Sequence, residues 1–477
     1  MPVSSHYRAA PRFLELGDGF ADPVQPARFP QHRLRFRNQR WAERIGLGEL
    51  DEAEWERHFA RFEPLPENVS EPLALRYHGH QFRNYNPNIG DGRGFLFAQL
   101  EDPVDGRLLD LATKGSGRTP WSRDGDGKLT LKGGVREVLA TEMLEALGVY
   151  TSKSYSLFET GENLHRNDEP SPTRSSVLVR LGHSHVRFGT FQRYLALGDR
   201  ERIERLLDYS VRHYAPEAAA EADVPAAFLR IVLERSAALC ASWMVAGFVH
   251  GVLNTDNMNV NGESFDYGPW RFLPTHDPRF TAAYFDHAGL YAFGRQPQGV
   301  LWNLARLGDT LAELTDPSEL ERVLGAFPEH FLRHHREKLA ARLGLVAPDD
   351  HVAMELQSVC RAFLEESQVG HDRFFFDWFG GAASEARAAA SPEAERYGGP
   401  GFTALRRAMD ACAPIDAMRL AQPYFEGAGP VTLLIDEVEP LWDAIAERDD
   451  WSLFEQKIAA IRAMGEATGL ASAVRAR

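Results

Sequence analysis

His250-Gly251-Val252-Leu253-Asn254-Thr255-Asp256-Asn257, followed shortly by Asp266-Tyr267-Gly268, is the stretch on which the fold turns. It supplies an amide oxygen at Asn257 and a carboxylate at Asp266, hard oxygen donors of the kind that hold a divalent cation beside a phosphate chain. Val252 cannot accept a proton, whereas Asp256, directly before Asn257, can. Asn, Asp and Gly also concentrate in ordinary turns, for local hydrogen-bonding reasons. The weight of these residues therefore comes from their spacing.

That spacing is the one protein kinases use. Their catalytic loop runs H-R-D-x-x-x-x-N, with the Asp taking the substrate hydroxyl's proton and the Asn holding a metal, and a D-F-G triplet downstream holds the other metal. His250 and Asn257 keep this separation, Val252 stands where the base would be, and Tyr267 replaces Phe. A kinase-like site further requires, in order, a glycine-rich loop, a strand lysine and a helix glutamate. Gly90-Asp91-Gly92-Arg93-Gly94 precedes the apolar run Phe95-Leu96-Phe97-Ala98-Gln99-Leu100, Lys114 closes Leu108-Leu109-Asp110-Leu111-Ala112-Thr113, and Glu137 lies in a stretch with apolar residues at helical spacing. Singly, a glycine cluster is a β-turn and a lysine or glutamate belongs to a solvated face. Together and in sequence they form a constellation.

With these residues the chain resembles the selenoprotein O family of protein adenylyltransferases, whose members have a pseudokinase-like fold. The stretches that carry the resemblance are Tyr77-His78-Gly79-His80-Gln81-Phe82, Gly90-Asp91-Gly92-Arg93, Lys114-Gly115-Ser116-Gly117, Asp124-Gly125-Asp126-Gly127, Val177-Leu178-Val179-Arg180, His185-Val186-Arg187-Phe188-Gly189 and the His250–Met258 loop with Asp266-Tyr267-Gly268-Pro269. The resemblance covers roughly residues 10 to 380. The resemblance implies transfer of AMP from ATP to Ser, Thr or Tyr hydroxyls of proteins, with the nucleotide flipped relative to kinases, and leaves UMP transfer open. It implies that Gly90, Gly92 and Arg93 form the nucleotide loop, that Lys114 holds phosphate and that Glu137 orients it. Asp126 and Gly127 match a second nucleotide-contacting segment, and Arg180 and Arg187 match two phosphate-binding arginines. Asn257 and Asp266 match the metal ligands for Mg²⁺ or Mn²⁺, and Asp256 the proton acceptor. Two features depart from the family: no cysteine follows Cys412, which puts redox gating by a C-terminal thiol in doubt, and the usual sequence is not found after about residue 400.

The expected architecture is α+β, a protein-kinase-like bilobal fold with an extra N-terminal segment and a helical C-terminal extension. Residues 1–74 form the N-terminal segment, 75–190 the N-lobe, 191–381 the C-lobe, and 382–477 a linker, centred on Ala382 to Gly401, with a divergent helical extension. Helices are expected over Asp51 to Phe62, Phe228 to Phe248 with a stop near Gly247, Leu301 to Leu314 and Glu329 to Leu345. Arg180 and Arg187 fall on opposite faces of any single strand, so both reach one site only if a turn at Gly182-His183-Ser184 intervenes.

Composition bounds the rest. A 477-residue chain with 44% hydrophobic content can bury a large core, and a formal net charge of −15 argues against nucleic-acid or anionic-membrane partners. No apolar run is long enough to span a bilayer, no secretory signal pattern opens the chain, and Glu15 and Asp18 count against a transit peptide, so cytoplasm is the expected location. Cys240, Cys360 and Cys412 lack metal-ligand or CxxC spacing. Two rivals to AMP transfer stand beside it: a phosphotransferase using Asp256 as base, and a nucleotide-binding scaffold without catalysis. Retention of both metal ligands and of the Lys114–Glu137 pair weighs against the scaffold.

Overall fold

The computed structural model describes residues 3–167 and 169–471. The first part of the chain builds one antiparallel sheet from β1 (Ala21–Pro23), β2 (Arg33–Arg37), β3 (Leu73–Leu75), β6 (Leu96–Glu101), β7 (Leu108–Lys114), β8 (Leu129–Thr130), β9 (Lys153–Leu164) and β10 (Thr173–Gly182). Their order is β1-β3-β6-β7-β10-β9-β2, with β8 also pairing β10. A separate hairpin, β4 (Gly79–Gln81) and β5 (Asn84–Asn86), lies between β3 and β6 in the chain.

Side chains alternate across these strands into two cores. Leu108, Ala112 and Leu178 join Val135, Val138 and Leu139 of α3 (Leu131–Ala146) on one face. Leu109, Leu111, Val177 and Val179 pack on the other against Trp55 and Phe59 of α2 (Glu52–Phe59), which follows α1 (Gln39–Arg44). With both faces covered, the central strands read as near-continuous apolar runs. The N-terminal segment thus supplies the lid of the second core, and α2 starts where a capping box of Asp51 and Glu54 fixes it.

The remainder is helical. α4 (Phe188–Ala196), α5 (Arg200–Tyr214) and the buried α6 (Val224–Ala246) lead to Gly247, whose φ of +67° ends α6 in a left-handed cap. β11 (Phe248–Val249) pairs β12 (Arg271–Phe272), and the loop between them carries His250 to Gly268. α7 (Gln296–Leu311), α8 (Pro317–Gly325) and α9 (Phe327–Arg342) pack around α6, then β13 (Leu345–Val346), α10 (Asp350–Ser367) and α11 (His371–Asp377) follow. In the stretch read as a linker, α12 (Glu385–Ala389) buries Ala388 in a core shared with Phe402 and Leu405 of α13 (Pro400–Asp410). After β14 (Ala413–Pro414), α14 (Ile435–Arg448) and α15 (Ser452–Thr468) return to α3, where Phe454, Ile458 and Ile461 enter the first core. The three cysteines are free, with Cys240 and Cys360 buried.

Candidate active site

Cross-strand register decides where the charges meet. Lys114 on β7 lies opposite Leu178 on β10, and Arg180 lies opposite Ala112, so Lys114 and Arg180 leave the sheet on the same face, the one α3 covers. Glu137 on α3 meets them there: Lys114 Nζ is 2.5 Å from Glu137 Oε2 and 2.8 Å from Asp266 Oδ1. Arg180 Nη1 lies 3.3 Å from Asp266 Oδ1 and 3.5 Å from Glu137 Oε1. β10 ends at Gly182 and Arg187 is the N-cap of α4. The chain therefore turns between the two arginines, and both reach Asp266, Arg187 Nη1 at 3.6 Å from Oδ2.

Arg187 is almost wholly enclosed. Its guanidinium lies between the rings of Tyr77 and Phe265, at 4.4 and 4.8 Å from their centroids. Nη1 donates to the Asp256 carbonyl at 2.7 Å and Nη2 to Asp91 Oδ1 at 3.3 Å. Asp91, Tyr77 and Phe265 were not singled out by sequence reasoning, although Asp91 and Tyr77 stand inside motifs that were. Their role depends on a contact between loops far apart in the chain, which spacing does not reveal.

The loop after β11 is held from several sides. The His250 ring donates to the Phe265 carbonyl at 3.2 Å, and its amide donates to Gln296 Oε1 of α7 at 3.1 Å. Asn303 Nδ2 of α7 donates to the Leu253 carbonyl, and Asn254 Oδ1 accepts from Tyr291 and from the Phe82 amide. Asn257 Nδ2 donates to the Val252 carbonyl at 2.9 Å, which fixes the amide and leaves its oxygen as a donor atom for a cation. Tyr267, where kinases carry Phe, makes a 2.5 Å hydroxyl contact with Thr151, and its carbonyl accepts from Lys114 at 3.4 Å. Asp266 has a φ of +61°, a left-handed conformation that costs a non-glycine residue about 1 kcal/mol or more.

The two acids differ electrostatically. Burial pushes the Asp256 carboxyl up to about 6; Arg187 opposes the shift and the Asp266 charge adds to it. Asp256 Oδ1 is buried with no hydrogen-bond partner among the described residues. Burial also disfavours ionisation of Asp266, but Lys114, Arg180, Arg187 and Arg93 outweigh it and hold that carboxyl well below the usual carboxylate range. Asp266 is the anionic centre of a cationic nest, and Asp256 is a buried carboxyl that burial holds above the usual carboxylate range.

The glycine loop is close-packed. A Cβ at Gly90 would sit 2.6 Å from the Trp121 ring and one at Gly92 2.8 Å from the Trp121 carbonyl. The Arg93 side chain is exposed, and its carbonyl accepts from Gly115 at 2.6 Å just after Lys114. Gly127, with a φ of +70°, accepts a 3.0 Å bond at its carbonyl from the Gly117 amide, so its segment abuts the turn that follows Lys114. Asp126 turns its carboxylate to Arg166 at 2.8 Å and to the Lys128 amide at 2.9 Å, away from the Asp266 cluster.

A second group of potential ligands, Asp102, Asp105 and His183, lies elsewhere. Its carboxylates are engaged by Arg44 at 2.5 Å and Arg107 at 2.8 Å, and His183 by Glu263 at 2.9 Å. Asp105 and His183 border a cavity of about 710 Å³ that none of the Lys114–Asp266 cluster lines.

Comparison with known proteins identifies the family. A family model described as "Protein adenylyltransferase SelO" matches residues 4–462. Among curated relatives, the protein nucleotidyltransferase YdiU of Gloeobacter violaceus is 44% identical over 464 residues, covering 95% of this chain and 94% of that protein. The protein of the same name from Synechocystis sp. is 42% identical over 464 residues (94% and 96%), and that from Vibrio cholerae 36% identical over 374 residues (78% and 75%). The family match continues well past residue 380, so the motif-bearing stretches understated its reach. From the ion-paired site and these matches together, the chain belongs to the SelO family of protein adenylyltransferases and is a nucleotidyltransferase.

Proposed function

We propose that this protein transfers AMP from ATP to Ser, Thr or Tyr hydroxyls of other proteins, on a protein-kinase-like bilobal scaffold with its N-lobe in residues 75–190 and its C-lobe in 191–381. The observation that carries the reading is the convergence of Lys114, Arg180 and Arg187 on Asp266, with Asp256 beside them holding a buried, unpartnered oxygen. Three cations offset much of the negative charge of a triphosphate, and in nucleotidyl transfer neutralising and aligning the phosphates matters more than a strong base.

In this mechanism Lys114, Arg180 and Arg187 bind the phosphate chain, with Glu137 orienting Lys114. Gly90, Gly92, Arg93, Asp126 and Gly127 contribute to the nucleotide-binding segments. Asp256 accepts a hydrogen bond from the acceptor hydroxyl and takes its proton as the oxygen bonds to the α-phosphorus. The bond from that phosphorus to the β-phosphate bridging oxygen breaks, and pyrophosphate leaves with the electron pair. Asn257 and Asp266 would hold Mg²⁺ or Mn²⁺, because an amide oxygen and a carboxylate suit either ion, and the bound ion supplies charge neutralisation on the phosphates.

Incubation with Mg²⁺ and ATP labelled at the α- or the γ-phosphate tests the reading. Covalent α-label on protein that disappears in Asp266→Ala is expected. Covalent γ-label alone would make the enzyme a phosphotransferase, and binding of ATP with neither label attached would make it a scaffold. UTP labelled at the α-phosphate, run beside ATP, tests UMP transfer.

A further inference from the structure

Arg187 is a buried cation whose position depends on more than Asp266. A guanidinium enclosed by protein needs charge partners and hydrogen bonds to stay ionised without a heavy penalty. Its hydrogen-bonded acceptors are the Asp256 carbonyl and Asp91 Oδ1, with Asp266 Oδ2 close by at 3.6 Å. In the proposed reaction Asp266 would hold a metal, and its pairing with Arg187 would weaken. Asp91 is then the carboxylate that still pairs with it.

Asp91 is built into its place. Its Oδ2 accepts from the Leu75 amide at 3.3 Å, its own amide donates to the Leu75 carbonyl at 3.0 Å, and its carbonyl accepts from Thr119 Oγ1 at 2.6 Å. The side chain is buried, so one carboxylate oxygen is committed to β3 and the other to Arg187. The glycine loop, strand β3 and the N-cap of α4 are joined at this single residue. Flanking glycines serve the same arrangement, since Trp121 lies directly over Gly90 and Gly92.

We propose that Asp91 is a positioning residue for nucleotide binding: it aims Arg187 at the phosphate chain and keeps it there once Asp266 is engaged elsewhere. The inference rests on the reading that Arg187 holds phosphate. Asp91 itself touches no phosphate in this scheme and acts through Arg187, whose guanidinium also packs on the rings of Tyr77 and Phe265.

A double-mutant cycle on the full chain tests it, with the affinity for Mg²⁺–ATP measured by calorimetry alongside the KM and kcat of AMP transfer. Asp91→Asn keeps the shape and the acceptor for Leu75 but removes the charge. It is expected to weaken Mg²⁺–ATP binding about tenfold, the scale of one hydrogen bond to a charged group. KM for ATP should rise with it, with kcat changed much less. In Asp91→Asn/Arg187→Gln the loss should equal that of Arg187→Gln alone. Additive losses, or unchanged affinity in Asp91→Asn, would overturn the proposal. Full affinity in Arg187→Gln would instead remove the phosphate-binding role of Arg187 and so count against the functional reading itself. Thermal unfolding without nucleotide checks the fold, and Asp91→Ser carries the same cycle if Asp91→Asn does not fold.

Discussion

At the scale of single residues, the site shows how a carboxylate becomes useful through its surroundings. Asp256 and Asp266 are separated by one short loop, yet burial raises the first to about 6 while the surrounding cations lower the second. If Asp256 must be ionised to take the acceptor proton, AMP transfer falls as the pH drops through about 6, since protonation removes the acceptor. A kcat/KM profile measured at saturating Mg²⁺ should show this acid limb at or below that value, because a nearby cation favours the carboxylate. Asp256→Asn should abolish the limb and lower kcat about 100-fold or more; an unchanged profile would leave Asp256 with a structural role. The stability sign runs the other way. A carboxyl with a raised folded-state value favours folding while protonated, and this contribution is lost as the pH rises through about 6. The sequence singles out Asp256 because Val252 leaves the kinase base position empty and a carboxylate stands next to Asn257. It did not disclose Asp91, Tyr77 or Phe265, whose importance is created only when three distant loops close on Arg187.

At the scale of elements, hydrophobic runs and stop signals were legible and the pairing was not. Gly247 ends α6 as its position suggests, and the apolar run before Lys114 is β7. Nothing in the local sequence states that β10 lies beside β7, or that β2, near the N-terminus, closes the sheet beside β9. Those neighbours are chosen by burial on both faces, a property of the assembled sheet. The same assembly resolves the geometry of Arg180 and Arg187, one at the end of a strand and one at the cap of a helix. The N-terminal segment reads in sequence as irregular with a helix over Asp51 to Phe62; that helix is α2, and it seals the outer core with Trp55 and Phe59. Its start rests on the Asp51 cap, which bonds the Glu54 amide at 2.8 Å at the protein surface. Asp51→Ala should therefore cost about 1 kcal/mol of stability, read as a lower midpoint in urea unfolding, with AMP transfer unaffected below the transition. No change in the midpoint would mean that packing alone holds α2 in register.

For the whole molecule, the C-terminal helices are structural partners of the Lys114–Asp266 cluster even though, among the described residues, they contribute no side chain to it. α15 lies on α3, the helix that presents Glu137 to Lys114, and Arg462 of α15 makes two 2.8 Å bonds to the buried Glu142 of α3. Asp449, at the end of α14, bonds Arg35 of β2 and Arg174 of β10, each at 2.7 Å, which ties the returning chain to the edge of the sheet. These contacts join the ends of the chain across the sheet that carries the lysine. They also give a physical setting for a family match that runs to residue 462, well beyond Asp266-Tyr267-Gly268. Ile461 is fully buried in the core it shares with Leu139 and Met143 of α3. Ile461→Ala removes most of that side chain and should destabilise the protein by about 2–4 kcal/mol. Because the cavity opens behind α3, the loss should reach the site: with the protein still folded, Mg²⁺–ATP should bind more weakly, while the equally drastic Phe402→Ala, in the separate core around α13, should lower stability without that effect. Calorimetric binding beside thermal unfolding distinguishes the two variants. Equal losses of affinity would mean that the C-terminal helices stabilise the molecule globally and do not specifically support the Lys114–Glu137 pair.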